Sequence, residues 1–289
     1  MNLRAILMGL VFALMWSSAF SSARIIVADA PPLGSLAARF FLSGIIGVTL
    51  AFALGQSWRL TPAQWRATFI FGLCQNALYL GLNFVAMQTI GASLASIIAS
   101  TMPLMVAFAG WALFRERLHP IAILGLLAGA FGVALIMGSR VSSGTGFYGI
   151  GLCIVGAVAL TIATLSVRGA SSGGNLLMVV GLQMLVGAVI LAVASYFLET
   201  HEVNMNWKLV AAFAYTTLVP GLLATWVWFS LVDQIGAVRA ATFHFLNPFF
   251  GVAIAAILLG EPVGPLDFLG VLVITVGILA VQLSRQTIR

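Results

Sequence analysis

The sequence predicts an all-α integral membrane protein with ten transmembrane helices, arranged as two inverted five-helix repeats around a central cavity. Three observations carry this expectation. Of 289 residues, 62% are apolar and only 7% charged, too little polar material to cover a water-exposed surface. Apolar runs of about 20 residues, enough helix to cross about 30 Å of hydrocarbon, follow one another with short breaks. The stretch "GASLASIIASTMPLMVAFAGWALFRERLHP" from Gly91 also returns as "GAVRAATFHFLNPFFGVAIAAILLGEPVGP" from Gly236 at a constant offset of 145 residues, with Pro103 on Pro248, Glu116 on Glu261 and Pro120 on Pro265.

The runs read in order as follows. The first, 5–27, starts after Arg4 and contains "SSAFSSA", which imitates a secretory cleavage site. It is expected to be retained, because it echoes the sixth run, with Arg24 against Arg168. Trp16 lies at its middle. The second run, 33–54, carries Gly44 and Gly47, small residues that let helices approach closely. The third, 66–87, places Asn76, Tyr79 and Asn83 at i, i+3 and i+7, hence on one face, with Gln75 beside it. The fourth, 91–114, has Ser96, Ser100 and Thr101 just before Pro103. A turn of Arg115, Glu116 and Arg117 leads to the fifth run, 121–138, with a GxxxG at Gly125 to Gly129.

"GTGFYG" from Gly144 matches a dinucleotide fingerprint literally, but no strand precedes it and no acidic residue follows at the required distance. The sixth run is 147–167 and the seventh 174–197. The eighth, 208–232, offers Tyr215, Leu222, Trp226 and Phe229 as a stripe, and its Trp228 is the repeat counterpart of Asn83. The ninth, 237–259, brings His244 and Asn247 just before Pro248, and the tenth is 266–284. Cys74 and Cys153 fall inside apolar runs, as buried small residues rather than a disulfide framework.

The two repeats are expected over 1–140 and 146–289. With the N-terminus in the cytoplasm, Arg4, Arg59, Arg66, Arg115, Arg117, Arg168, Arg239, Arg285 and Arg289 fall on the inner side, against Arg24, Arg39, Arg140 and Lys208 outside or near the outer ends. The positive-inside rule therefore places both termini in the cytoplasm of a bacterial inner membrane. The net charge of +6 is accounted for by topology and anionic lipid headgroups, without nucleic acid. Five spans per half is an odd number, so the second half enters from the opposite side. Inverted repeats can exchange conformations and open a central site first to one side and then to the other.

The chain resembles the drug/metabolite transporter superfamily and, within it, the EamA-type ten-helix permeases. The resemblance rests on "ALMWSSAF", "LAARFFLSG", "NFVAMQTIGASLASIIASTMPLMVAFAGWALFRERL" and "LVDQIGAVRAATFHFLNPFFGVAIAAILLGEP". It is most similar to the YddG-type aromatic amino-acid exporters. The resemblance implies a basket of ten helices around a cavity, cytoplasmic termini and export of small metabolites.

Polar groups at membrane depth are costly and default to functional candidates. The substrate-binding candidates are Trp16, Asn76, Tyr79, Asn83, Ser100, Trp226, Trp228, His244 and Asn247. Pro103 and Pro248 are gating candidates or static kinks. Serines that bond their own helix, a packed histidine and interfacial tryptophans (Trp58, Trp65, Trp111, Trp207) are the competing structural roles.

Aromatics and amides with almost no formal charge fit a small, net-neutral amphipathic molecule, an aromatic or large apolar amino acid above all. An exporter of other drugs or metabolites is the alternative. A passive channel or an intramembrane enzyme is the alternative from another class, with no nucleophile elbow or paired intramembrane aspartates to favour the enzyme. No metal or other cofactor is expected. Membrane lipid, a small-molecule substrate and a monomeric state are.

Overall fold

The computed structural model describes residues 3–115, 119–142, 147–166, 174–235, 240 and 242–287. No strand occurs among them, and the helices follow the ten apolar runs. They are α1 (Leu3–Asp29), α2 (Pro32–Ala53), α3 (Pro62–Ala86), α4 (Ala92–Ser100 and Met102–Phe114), α5 (Pro120–Ser142), α6 (Phe147–Ser166), α7 (Leu176–Leu198), α8 (Trp207–Thr216, Thr217–Leu223 and Ala224–Ile235), α9 (Thr242–Leu246 and Asn247–Leu259) and α10 (Pro265–Thr287). Eight are long and apolar enough to cross a membrane, and Pro120–Ile136 and Phe243–Leu259 are shorter apolar helices. Glu116, Arg117, Ser143, "GTG" of the Gly144 motif, Arg168, Arg239, Arg289 and the start of the ninth run lie outside the described residues.

Local chemistry sets the helix starts. Thr61 and Gln64 form a reciprocal capping box at α3 with Pro62 at its first position, and the Asn206 side chain accepts from the Leu209 amide at α8. Two starts in the first half are capped from the second half. Glu199 accepts from the Leu33 and Gly34 amides at 2.7 and 2.9 Å, and Glu261 from the Ala92 and Ser93 amides at 2.6 and 3.0 Å, with a further bond from the Ser93 hydroxyl. A carboxylate there satisfies orphan N–H groups and meets the positive end of the helix dipole.

The interior irregularities repeat at the same offset as the sequence. α3 widens into a π-helical segment at Gly72–Leu80 and α8 at Thr217–Leu223, so both begin 145 residues apart. α4 breaks at Thr101 before Pro103, and α9 passes from a 3-10 turn into α-helix at Asn247, just before Pro248. The helices end at Arg115 and Gly260 in left-handed conformation, φ 54° and 65°. The prolines therefore do not bend continuous helices, as the apolar runs implied. Each opens a new segment, where its missing N–H costs nothing.

Packing follows the same exchange. α2 lies along α7, α4 against α9, α5 along α10, and the contact of α1 with α8 corresponds to that of α6 with α3. Glycines set the closest approaches. A Cβ on Gly181 of α7 would stand 2.8 Å from the Val48 nitrogen and 3.1 Å from the Gly44 carbonyl oxygen of α2. One on Gly125 of α5 would stand 2.6 Å from the Gly277 carbonyl oxygen of α10. The core of Ile26, Leu36, Met87, Ile97, Leu191 and their neighbours lies between helices, while Leu10, Phe41, Ile45, Leu50, Leu127, Val189 and Ile257 face outward. In lipid that outward apolar surface is the favourable one.

Candidate functional site

A cavity of about 560 Å³ opens among α1, α2, α3, α4, α6, α7, α8 and α9, within the range of about 300–1,000 Å³ that small-molecule sites occupy. Its lining begins at Gln64 and Ala67 in the first turns of α3 and at Leu176 at the start of α7, and runs inward to Arg39, Tyr79 and Pro220. There it adjoins a recess of about 50 Å³ walled by Phe20, Ala23, Asn83, Phe84 and Met87. Pro220 and Gly221, in the π-segment of α8, face Gln75, Asn76 and Tyr79 in that of α3. The two irregular segments thus meet at the cavity, where widened helical turns free backbone from regular packing.

Most of the residues nominated from the sequence come together here. Trp16, Asn76, Tyr79, Ser100, Trp228, His244 and Asn247 all line the cavity, as does Pro103. His244 sits in an aromatic cage. Its ring is edge-on to Phe12 at 5.3 Å and to Trp16 at 6.2 Å, and tilted against Trp228 at 5.2 Å between centroids. Asn247 Nδ2 lies 2.9 Å from His244 Nδ1. An amide nitrogen only donates, so Nδ1 accepts and the ring's other nitrogen is left to carry a proton. Ser17 supports the amide from the other side, its hydroxyl donating to the Asn247 carbonyl oxygen at 3.3 Å and Oδ1 at 3.5 Å.

Other nominated groups have structural partners. Asn76 Nδ2 donates to the Gln183 carbonyl of α7 at 2.9 Å, and the Ser100 hydroxyl to its own helix at the Ser96 carbonyl, 2.7 Å. Asn83 lines only the small recess. Its Nδ2 donates to the Tyr79 carbonyl at 2.8 Å and its Oδ1 accepts from Cys153 Sγ at 3.3 Å, so the side chain ties α3 to α6. Pro248 is buried outside the cavity lining.

Trp226 requires a correction: it is 66% exposed and lines neither space. Two residues are about 200° of an α-helix, so Trp226 and Trp228 cannot both face one cavity. The inward face of α8 is Gly221, Thr225 and Trp228. Tyr215, from the same expected stripe, is 39% exposed and bonds Ser18 at 2.8 Å. The side chain of Phe229 lies outside the described residues.

The residue that sequence reasoning missed is Arg39, which the charge count had placed at the outer ends. It stands seven residues into α2, about 10 Å of helix rise. It is 8% exposed and lines both the cavity and the recess. Its Cζ lies 5.3 Å from the Phe40 ring centroid, and its Nε is buried without a hydrogen-bond partner. No Asp or Glu is among the residues lining either space. The signal was available: a charge inside an apolar run, in "LAARFFLSG", is a functional candidate by default. The expectation of a cavity almost without formal charge is therefore revised to one holding a single guanidinium among aromatics and amides.

The comparisons agree with this architecture. The model of the EamA-like transporter family matches the chain twice, over residues 3–138 and 147–283. The chain is 26% identical to the uncharacterized inner membrane transporter YedA of Escherichia coli strain K12, over 96% of this chain and 91% of that one. It is 24% identical to the uncharacterized transporter YvbV of Bacillus subtilis, covering 94% and 90%, and 22% identical to protein PecM of Dickeya dadantii, covering 91% and 86%. A solved crystal structure superposes with a TM-score of 0.70 at 20% identity, over 99% of both chains. Two family matches that together span nearly the whole chain, on a helical membrane fold with a central cavity, place this protein in the EamA-like transporter family.

Proposed function

We propose that this transporter exports small amphipathic metabolites across the bacterial inner membrane by alternating access, with aromatic or large apolar amino acids as the favoured substrates. The observation that carries the reading is the cavity's composition: Trp16 and Trp228, backed by Phe12, offer ring surface to an apolar side chain, while Gln75, the second amide proton of Asn247 and the acceptor lone pairs of Ser100 offer hydrogen bonds to a polar backbone. Rings and amides recognise such molecules through stacking and orientation.

The halves are read as inverted, with both termini cytoplasmic. In that orientation the cavity opens toward the cytoplasm, since Gln64 and Leu176 belong to the inner ends of α3 and α7. Pro103 and Pro248, each at a helix break, are read as the positions where the two halves exchange conformation. Transport follows the substrate gradient or couples at most through His244.

The test is uptake into liposomes by the purified protein, offered a mixed panel of amino acids and other metabolites and read by mass spectrometry. Enrichment of Phe, Trp or Leu with trans-stimulation supports the carrier reading. Transport of cationic dyes with no amino acid moved replaces it with drug export, and flux without trans-stimulation replaces it with a channel.

A further inference from the structure

We propose that Arg39 is the substrate's carboxylate-binding residue, so that this transporter takes organic monocarboxylates whose apolar end packs on the aromatic cluster of Trp16, Trp228 and His244 at the cavity wall. The proposal rests on the transporter reading above and deepens it.

A guanidinium has five N–H donors in a fixed fork and stays charged. Removing it from water costs several kcal/mol unless an anion and hydrogen bonds replace the lost hydration. Among the described residues nothing does so. Arg39 is more than nine-tenths buried, its Nε has no partner, and neither space it lines contains a carboxylate. The neighbouring surfaces hold it in place without neutralising it: the Phe40 ring lies beside it, and a Cβ on Gly221 would stand 3.5 Å from one terminal guanidinium nitrogen. Position 221 of the π-turn of α8 thus lies within van der Waals reach of the guanidinium.

The site is short of one negative charge with planar, bidentate geometry, which a carboxylate supplies. A phosphate would bring a second charge, and the residues lining the cavity include no other Arg and no Lys to meet it. Arg39 and the cage of Phe12, Trp16, Trp228 and His244 line one continuous space. A molecule with a carboxylate at one end and an apolar group at the other can engage both.

Two of the cage residues are tryptophans, so binding can be read independently of transport. The probes are 3-phenylpropionate and its uncharged amide, titrated against the tryptophan fluorescence of the purified protein, with Trp226→Phe as background to remove an exposed emitter. The expected result is quenching by the acid at least about tenfold tighter than by the amide, with the preference lost in Arg39→Gln and reduced in Arg39→Lys, which keeps the charge without the fork. Equal affinity for acid and amide, an undiminished preference in Arg39→Gln, or displacement of the acid by chloride at equal concentration would each overturn the assignment. If Arg39→Gln does not fold, the acid-to-amide ratio of the unmodified protein and of Arg39→Lys decides. Failure of the amino-acid reading looks different: the acid binds and the arginine matters, yet no amino acid is transported.

Discussion

Single side chains in this protein divide by whether their polar atoms are spent on the fold or left to the cavity. Asn83 and Trp228, which occupy equivalent positions in the two halves, make the contrast. Both Asn83 amide atoms have partners on α3 and α6, and the residue is 1% exposed. Replacing it with alanine removes two buried bonds, and the expected outcome is a loss of about 1–3 kcal/mol of stability, seen as a lower melting temperature in detergent. Trp228→Ala is expected to lower transport in liposomes while the melting temperature falls less, because the indole borders open space. Trp226→Ala should change neither, since its ring faces outward. A drop in transport for Trp226→Ala equal to that for Trp228→Ala would mean that the inward face of α8 is misassigned.

Helices impose a second set of constraints, through the places where they touch and the places where they break. α2 and α7 approach so closely that any side chain at Gly181 meets backbone atoms of α2. Gly181→Leu is therefore expected to destabilise the protein by at least about 1–3 kcal/mol, measurable as aggregation on heating. Gly151, where an added Cβ meets nothing within 4 Å, should accept alanine without effect. The breaks behave oppositely. Pro103 occupies the first turn of its segment, where it removes no hydrogen bond that the helix needs. Pro103→Ala is expected to leave stability within about 1 kcal/mol and to slow turnover, because alanine lets α4 run continuously through Thr101. Unchanged turnover in both Pro103→Ala and Pro248→Ala would remove the prolines from the gating reading.

At the scale of the whole molecule, orientation and energy source are open to direct measurement. Cys74 and Cys153 are buried and unpaired with each other, so they leave a low background for an impermeant thiol reagent. A cysteine at Glu202 is expected to react from the periplasm, and one at Ala63 only after the inner face is exposed; the reverse pattern would invert the proposed topology. The acidic residues lie at or near the ends of the spans, which leaves His244 as the mid-span group through which a proton could be coupled. Accumulation against a substrate gradient driven by an imposed proton gradient, persisting in His244→Asn, would contradict gradient-following transport and His244 coupling alike.

What the sequence determined by itself is what depends on composition and periodicity. Each of the ten apolar runs holds helix among the described residues, with the described ends within a few residues of those expected, because in a bilayer a backbone segment must satisfy its own hydrogen bonds. The 145-residue repeat announced that Pro103 and Pro248 are equivalent, while the structure decided that each opens a new helical segment. Most candidate cavity residues were also legible, since a polar group in the middle of an apolar run has few places to go except inward. Tertiary structure alone decided which of those groups were left free. The period of 3.6 residues assumes uniform helix, and the π-segments of α3 and α8 do not keep it. The sequence around Asn83 does not reveal that α6 presents Cys153 to its amide. Arg39, counted as an outer charge by its place near the start of a run, turns inward to line the cavity formed by helices from both halves. A side chain's partners come from helices distant in sequence, so its burial and its satisfaction are properties of the assembled bundle.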